Sequence, residues 1–300
     1  MAARARIAIT LGDPRGIGPE VVRKALTDPR VQAVVEPTVV GPDGTEIAAD
    51  IVVGSWGHGG SAADAGRLAG LAIERAVRLA RSGAVGGIVT APIDKHALAA
   101  GGYDFPGHTE MLAALTGSST VMMLASERLR VVLATTHLAL RDVPQAVTPE
   151  AIASAAAITA RGLTEWFGIE SPRIALCALN PHAGDGGRFG DEDDTVLAPA
   201  ARAAGLAGPF SADTVFVRAM AGEFDAVIAP YHDVGMTAIK VASFGHAVNV
   251  TLGLSFPRTS PDHGTALDIA GQGVAKPESM IEAILQCARI VGRMTAARAQ

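Results

Sequence analysis

Aromatic residues make up only 4% of this 300-residue chain. A core of any size must therefore be packed from Ala, Val, Leu and Ile rather than from rings. Cysteine is nearly absent: Cys177 and Cys287 are the only two, each inside an apolar stretch. That excludes a disulfide framework and reads as two buried thiols in a reducing compartment. Basic runs are missing and the formal net charge is −5, which removes the electrostatic footprint of a nucleic-acid binder. No apolar run reaches bilayer-spanning length, and the N-terminus lacks a signal-peptide core. The expectation is a cytoplasmic protein with no membrane partner. Linker composition, internal repeats and low-complexity segments are also lacking, so any domain boundary must be a strand crossing between lobes. What is abundant is hydrophobic residues, at 49%, and glycine, at 34 residues. The first supports one large or two modest domains; the second suits many tight strand-to-helix turns.

Short Val/Ile/Leu/Ala runs alternate with amphipathic stretches along the chain, the pattern of an α/β protein. Arg6–Thr10 reads as a buried strand entering Leu11-Gly12-Asp13-Pro14-Arg15-Gly16-Ile17-Gly18-Pro19-Glu20, then a helix over Val21–Leu26. Pro19 suits a first helical turn. Such a turn can offer backbone N–H groups to an anion or cofactor. Its spacing is not the dinucleotide Gly-x-Gly-x-x-Gly pattern, and a tight structural turn explains it equally well. Short strands are expected at Thr38–Val40 and Ile51–Val53, a helix over Ala62–Ser82 stopped by Gly83, and a strand over Val85–Thr90 ending in a polar cluster around Lys95. His108 and Thr109 stand at the start of a helix over Met111–Leu115. They could seat a phosphate or carboxylate, or simply cap the helix.

Three strands carry the strongest signal. Arg130–Thr135, Arg173–Leu179 and Asp225–Ala229 are each followed within a few residues by a histidine: His137, His182 and His232. Helical segments over Pro149–Phe167, Glu192–Leu206 and Thr214–Met220 fill the gaps. Ligands of open α/β sheets sit beyond the carboxyl ends of strands. One such histidine is usually a loop residue. Three in the same structural position form the pattern of a catalytic divalent metal on imidazoles with an open fourth position.

The stretch from Asp225 to Gly273 then gathers Lys240, Asn249, Arg258 and a His263-Gly264-Thr265 turn within an apolar setting, the makeup of half an active site. A strand is expected over His246–Gly253, a turn carrying Arg258-Thr259-Ser260, and a closing helix over Pro277–Ala297.

These motifs resemble a known family. Leu11-Gly12-Asp13 through Gly16-Ile17-Gly18-Pro19-Glu20, with His263-Gly264-Thr265-Ala266-x-Asp268-Ile269-Ala270-Gly271, is similar to the two cofactor-side signatures of isocitrate and isopropylmalate dehydrogenases. GHTE (107–110), ATTHLALRDVP (134–144), LNPHAGDGGRFGDED (179–193), ADTVF (212–216), YHDVG (231–235) and VNVTLGLSFPRTSPDHGTA (248–266) resemble the 4-hydroxythreonine-4-phosphate dehydrogenase family of vitamin B6 biosynthesis. The match runs through nearly the whole chain in order, residues 29–60 excepted.

The resemblance implies a two-lobed isocitrate/isopropylmalate dehydrogenase-like α/β fold with mostly parallel sheets and helices on both faces. Residues 1–115 with 253–300 would form the cofactor-side lobe, and 116–252 the metal, substrate and dimerisation lobe. It implies a homodimer with a shared site and a divalent metal on His137, His182 and His232. Zinc is the first choice; magnesium, cobalt, manganese and nickel are the other candidates. Substrate contacts carry over to His108, Thr109, Lys240, Asn249 and Arg258, with Lys240 or Asp213 as proton acceptor. Gly12, Asp13, Gly16, Gly18, His263, Gly264, Thr265, Ala266 and Asp268 would form the NAD or NADP side. The implied reaction oxidises and decarboxylates 4-phosphohydroxy-L-threonine to 3-amino-2-oxopropyl phosphate. The alternative substrates are 4-phospho-D-threonate and 4-phospho-D-erythronate. A zinc hydrolase would share the three histidines but has no use for a nucleotide loop such as residues 263–266. A non-catalytic sensor would not keep Lys240 and Asp213 beside a full ligand set.

Overall fold

A computed structural model describes residues 4–57, 59–243 and 246–298. The chain divides into two compact α/β units, Met1–Thr120 with Val248–Gln300, and Val121–Ala247.

The first unit contains β1 (Ala5–Thr10), α1 (Gly18–Leu26), α2 (Pro29–Val34), β2 (Val35–Asp43), β3 (Ile51–Ser55), α3 (Ala62–Arg81), β4 (Gly87–Thr90), α4 (Lys95–Ala100) and α5 (His108–Thr116). After the second unit the chain returns to it with β10 (Val248–Leu252), β11 (Arg258–Ser260) and α11 (Glu278–Arg298). The strand order is β3-β2-β1-β4-β11-β10, parallel except for the antiparallel β10–β11 pair. β4 is buried at every position, as expected of a short apolar run inside a parallel sheet. Helix α3 starts at a capping box in which Ser61 and Asp64 satisfy each other's backbone N–H groups. Its apolar stripe (Ala72, Ile73, Ala76, Val77) joins Ile88, Leu98, Leu112 and Phe256 in the core.

The second unit contains β5 (Val121–Ala125), β6 (Arg130–Leu133), α6 (Val143–Ala146), α7 (Pro149–Phe167), β7 (Ile174–Cys177), α8 (Ala198–Ala203), β8 (Ala207–Phe210), α9 (Ala212–Met220), β9 (Ala226–Ala229) and α10 (His232–Ser243). Its strand order is β5-β6-β9-β7-β8, with only β5–β6 antiparallel. Helix α7 begins at the Thr148 cap with Pro149 in its first turn and ends at Gly168 in the left-handed region (φ 70°). Cys177 belongs to this core. Both cysteines are buried free thiols, each pushed up to about 12 by loss of solvent.

Two features differ from the sequence expectation. Arg258–Ser260 is a buried strand rather than a turn, because Thr259 pairs with Val89 of β4 and Val250 of β10. The division of the chain puts all of β10, and with it Asn249, in the first unit, whereas the expectation had residues 116–252 in the second lobe. The antiparallel pairing of Asn249 with Ser260 is the physical reason. No helix among the described residues is long and apolar enough to cross a membrane.

Candidate active site

In the first unit, the turn after β1 and the loop around Thr265 meet. The Ile17 N–H donates to the Thr265 carbonyl at 2.9 Å, and a Cβ on Gly16 would lie 2.7 Å from that same oxygen. Gly12 (φ +70°) faces the Pro92 carbonyl, where a Cβ would sit at 2.2 Å. The two cofactor-side motifs therefore form one surface, and these glycines are required by the backbone passing against them. Asp13 is buried, and its carboxylate accepts from the Arg15 backbone N–H at 2.9 Å and from the Arg15 guanidinium at 2.7 Å. Its observed work is to fix the turn. Glu20, also buried, accepts from Lys24 at 2.6 Å and from the Ala275 N–H at 3.0 Å. Lys24 in turn donates to the Gly273 and Ala275 carbonyls, so α1 is tied to the chain that leaves the 263–271 loop. His263 has Nδ1 3.1 Å from the Gly264 carbonyl, while its Nε2 is buried without a partner. Ala266 holds a left-handed φ of 43° and Asp268 is exposed.

The second feature of this unit is a buried cation. Arg258 is 2% exposed. Its guanidinium donates to the Thr90 hydroxyl at 2.6 and 3.2 Å and to the Thr251 hydroxyl at 2.9 Å. Two neutral hydroxyls orient the charge but do not neutralise it. Burial pushes the Arg258 pKa down to about 9, opposed by Glu110 nearby, so the group is cationic at neutral pH. His108 opens α5 behind Gly107, which caps the helix without a side-chain bond. Its Nε2 is buried and has no partner. Burial, and then the Arg258 charge, push its pKa well below 6.5, which keeps it neutral. Thr109 follows in the same first turn. Asn249 on β10 leaves a buried Oδ1 unpartnered. Three of the seven buried unpartnered side-chain atoms among the described residues thus belong to His108, Asn249 and His263. Each such atom costs roughly 1–3 kcal/mol unless a ligand satisfies it.

In the second unit, the three histidines lie past the carboxyl ends of the adjacent parallel strands β6, β9 and β7. The loops after β6 and β9 are joined by the buried Thr135 hydroxyl, which donates to the Pro230 carbonyl at 2.7 Å. The His137 and His232 rings approach to 5.5 Å between centroids. His232 Nδ1 lies 2.8 Å from Asp233 Oδ1, leaving Nε2 as the outward nitrogen, an arrangement common to metal-ligating imidazoles. His182 does not join them: its ring lies beside Phe189, 6.4 Å between centroids. Among the described residues no group of three or more His, Cys, Asp or Glu side chains converges to hold a metal ion. The cause is local. His182, Ala183 and Asp185 all have left-handed backbone, with φ of 54°, 54° and 47°. Buried Asp193 pins the base of that loop by accepting from the Leu179 and Asn180 N–H groups at 2.8 and 2.9 Å. The His137 and His232 rings stand near each other, and His182 stands on a separate loop. Lys240 lies on α10, eight residues beyond His232 and about 12 Å along its axis. It is exposed, with no carboxylate in ion-pair range among the described residues. Asp213 sits exposed in the first turn of α9.

Sequence reasoning missed Thr90, Thr251, Thr135, Asp193 and Asp233. A hydroxyl in or beside an apolar strand, or a carboxylate such as Asp193 that lies 13 and 14 residues from its partners, carries no local signature of its role.

A 4-hydroxythreonine-4-phosphate dehydrogenase of Desulfosudis oleivorans is 42% identical over 324 residues, covering 95% of each chain. A putative D-threonate 4-phosphate dehydrogenase of Bradyrhizobium diazoefficiens is 42% identical over 340 residues, covering 97% of this chain and 98% of that one. The crystal structure of 4-hydroxythreonine-4-phosphate dehydrogenase from Klebsiella pneumoniae superposes with a TM-score of 0.84 at 38% identity, over 97% of this chain and 99% of that one. A beta-decarboxylating dehydrogenase of Thermococcus kodakarensis, at 17% identity and TM-score 0.51 over 94% of this chain and 81% of that one, shares the fold alone. The family model described as pyridoxal phosphate biosynthetic protein PdxA matches residues 17–287, and the chain belongs to that family.

Proposed function

We propose that this protein is an NAD(P)-dependent dehydrogenase that oxidises and decarboxylates 4-phosphohydroxy-L-threonine to 3-amino-2-oxopropyl phosphate. The observation that carries this reading is the buried, un-neutralised Arg258 beside a neutral His108 with a vacant Nε2. A phosphate monoester supplies the missing negative charge together with oxygens for both groups, and charge-assisted bonds of this kind are worth roughly 1.5–3 kcal/mol each. Thr109 adds a hydroxyl in the same helical turn. Asn249 contributes an acceptor toward the substrate's polar carbon groups.

His137, His182 and His232 are assigned to a divalent metal, zinc first, with Asp233 orienting His232. Because His182 stands apart from the other two, the ligand set is completed in a homodimer. Large apolar side chains support that assembly. Leu138 and Leu140 beside His137, Phe189 beside His182 and Val241 beside Lys240 are all exposed on one chain, and a second copy would cover them. When bound, the metal and the oxidised nicotinamide supply hydroxyl acidification, charge stabilisation during loss of carbon dioxide, and a hydride acceptor. The chain's own part is to anchor the phosphate at Arg258, His108 and Thr109, which fixes the reacting carbon. Lys240 or Asp213 takes the hydroxyl proton. The surface formed by Gly12–Gly18 and His263–Ala266 receives the dinucleotide, with Asp268 toward a ribose hydroxyl.

The second reading, oxidation of 4-phospho-D-threonate or 4-phospho-D-erythronate, is favoured by the Bradyrhizobium relative's name. It uses the same phosphate seat. Turnover of the three phosphorylated acids, each with NAD and NADP and followed by nicotinamide absorbance, decides between them. The largest kcat/KM should belong to the amine-bearing acid, and preference for either hydroxy acid would replace the first reading with the second.

A further inference from the structure

A second cationic feature of the first unit lies at the other end of its strands. A groove of about 1690 Å³ is bordered by Arg4, Ala5 and Arg6 at the start of β1, Gly86 just before β4, Phe256 just before β11, α2, and the C-terminal part of α11. The phosphate seat and the cofactor turns follow the carboxyl ends of β1 and β4, so this groove is a full strand length from them.

Its charge is one-sided. Arg4, Arg6, Arg30, Arg289 and Arg298 line it, and no Asp or Glu does. The whole chain has the opposite bias, with 30 acidic against 25 basic residues. Among the described residues only Arg30 of these five has carboxylate partners, Asp28 at 3.0 Å and Glu282 at 3.3 Å. Arg4 and Arg6 donate only to the Gln32 and Gly83 carbonyls, and Arg289 to the Gln286 side chain. A solvated protein face ordinarily interleaves signs. Gathering five guanidinium groups with only Asp28 and Glu282 in ion-pair range, both on Arg30, leaves self-repulsion that a bound anion relieves. The floor is apolar: Val85, Phe256, Leu285 and Val291 are buried there, and Val34 is left 42% exposed.

We propose that this groove is a binding site, separate from the catalytic one, for a small organic phosphate whose carbon body is apolar or aromatic. The guanidinium rim takes the phosphate through paired N–H donors, and the Val34–Phe256–Leu285–Val291 floor takes the body. The inference does not depend on which phosphorylated acid the enzyme oxidises.

The test is calorimetric titration of the full-length protein with phenyl phosphate, inorganic phosphate and phenol. Arg4→Glu, Arg289→Glu and the double variant are compared with wild type. Both residues are exposed and touch no candidate catalytic group, so melting temperature and turnover should hold. Phenyl phosphate should bind wild type in excess of one equivalent. The excess should weaken at least about tenfold in the double variant and fall with added salt. It should survive Arg258→Ala, which removes only the catalytic seat. An isotherm unchanged by the double substitution overturns the site. Equal affinity for inorganic and phenyl phosphate overturns the organic ligand class.

Discussion

The two units prepare their candidate residues in opposite ways. In the first, Arg258 and the His108 Nε2 atom are buried, and Thr90 and Thr251 hold the guanidinium in place. In the second, His137 and His182 are exposed, His232 is half-buried, and two of the three rings approach each other within one chain. A site for a phosphate needs charge concentrated by low dielectric, which packing inside one unit can supply. A metal site needs ligands at fixed distances from a point. Here the carboxyl ends of three strands supply the three histidine loops, and only two of the rings approach each other.

If that contrast is right, removing an imidazole should do most harm. His232→Ala should cost turnover roughly a thousandfold, the several kcal/mol of charge stabilisation a metal contributes. Metal content by elemental analysis should fall with it; retained metal and activity would remove the histidine from the site. Next, Arg258→Ala should raise KM for a phosphorylated substrate by about a hundredfold and leave an unphosphorylated analogue nearly unaffected. Equal losses for both would mean that Arg258 is only structural. Thr90→Val should raise KM about fivefold to tenfold with kcat little changed, because the guanidinium loses an orienting acceptor but not its charge. Thr90→Ser should restore it.

The smallest effect sharpens the burial argument. The folded-state pKa of His108 is depressed, so below about 6.5 the unfolded chain binds a proton that the native chain refuses. Stability from this group is therefore full above that pH and falls as the pH drops below it. Melting temperatures of wild type and His108→Gln across pH 5–8 (a range set by the histidine reference value) should show a shallower acid-side decline in the variant. Parallel curves would mean that the ring is solvated.

Much of the fold is legible because its elements are local. Helix α7 follows from Thr148, Pro149 and Gly168 alone, and β9 from an uninterrupted apolar run. Other elements are not. β8 is Ala-Gly-Pro-Phe, with no strand periodicity, and forms because β7 offers a free edge. Arg258-Thr259-Ser260 looks polar enough for a turn, yet it is buried between β4 and β10. Helix α10 begins at His232, where a polar cluster hides its start.

The sequence by itself determined the alternation of strands and helices, the family, and the positions of the histidines relative to strand ends. Periodicity, caps and motif order are properties of neighbouring residues and survive in one dimension. Only the tertiary structure decided that Thr90 and Thr251, separated along the chain, clasp one buried cation. It also decided that Asn249 belongs to the same unit as Arg258 and that His182 stands apart from His137 and His232. Burial and side-chain convergence are set by which strands lie side by side, and no local stretch of residues encodes that.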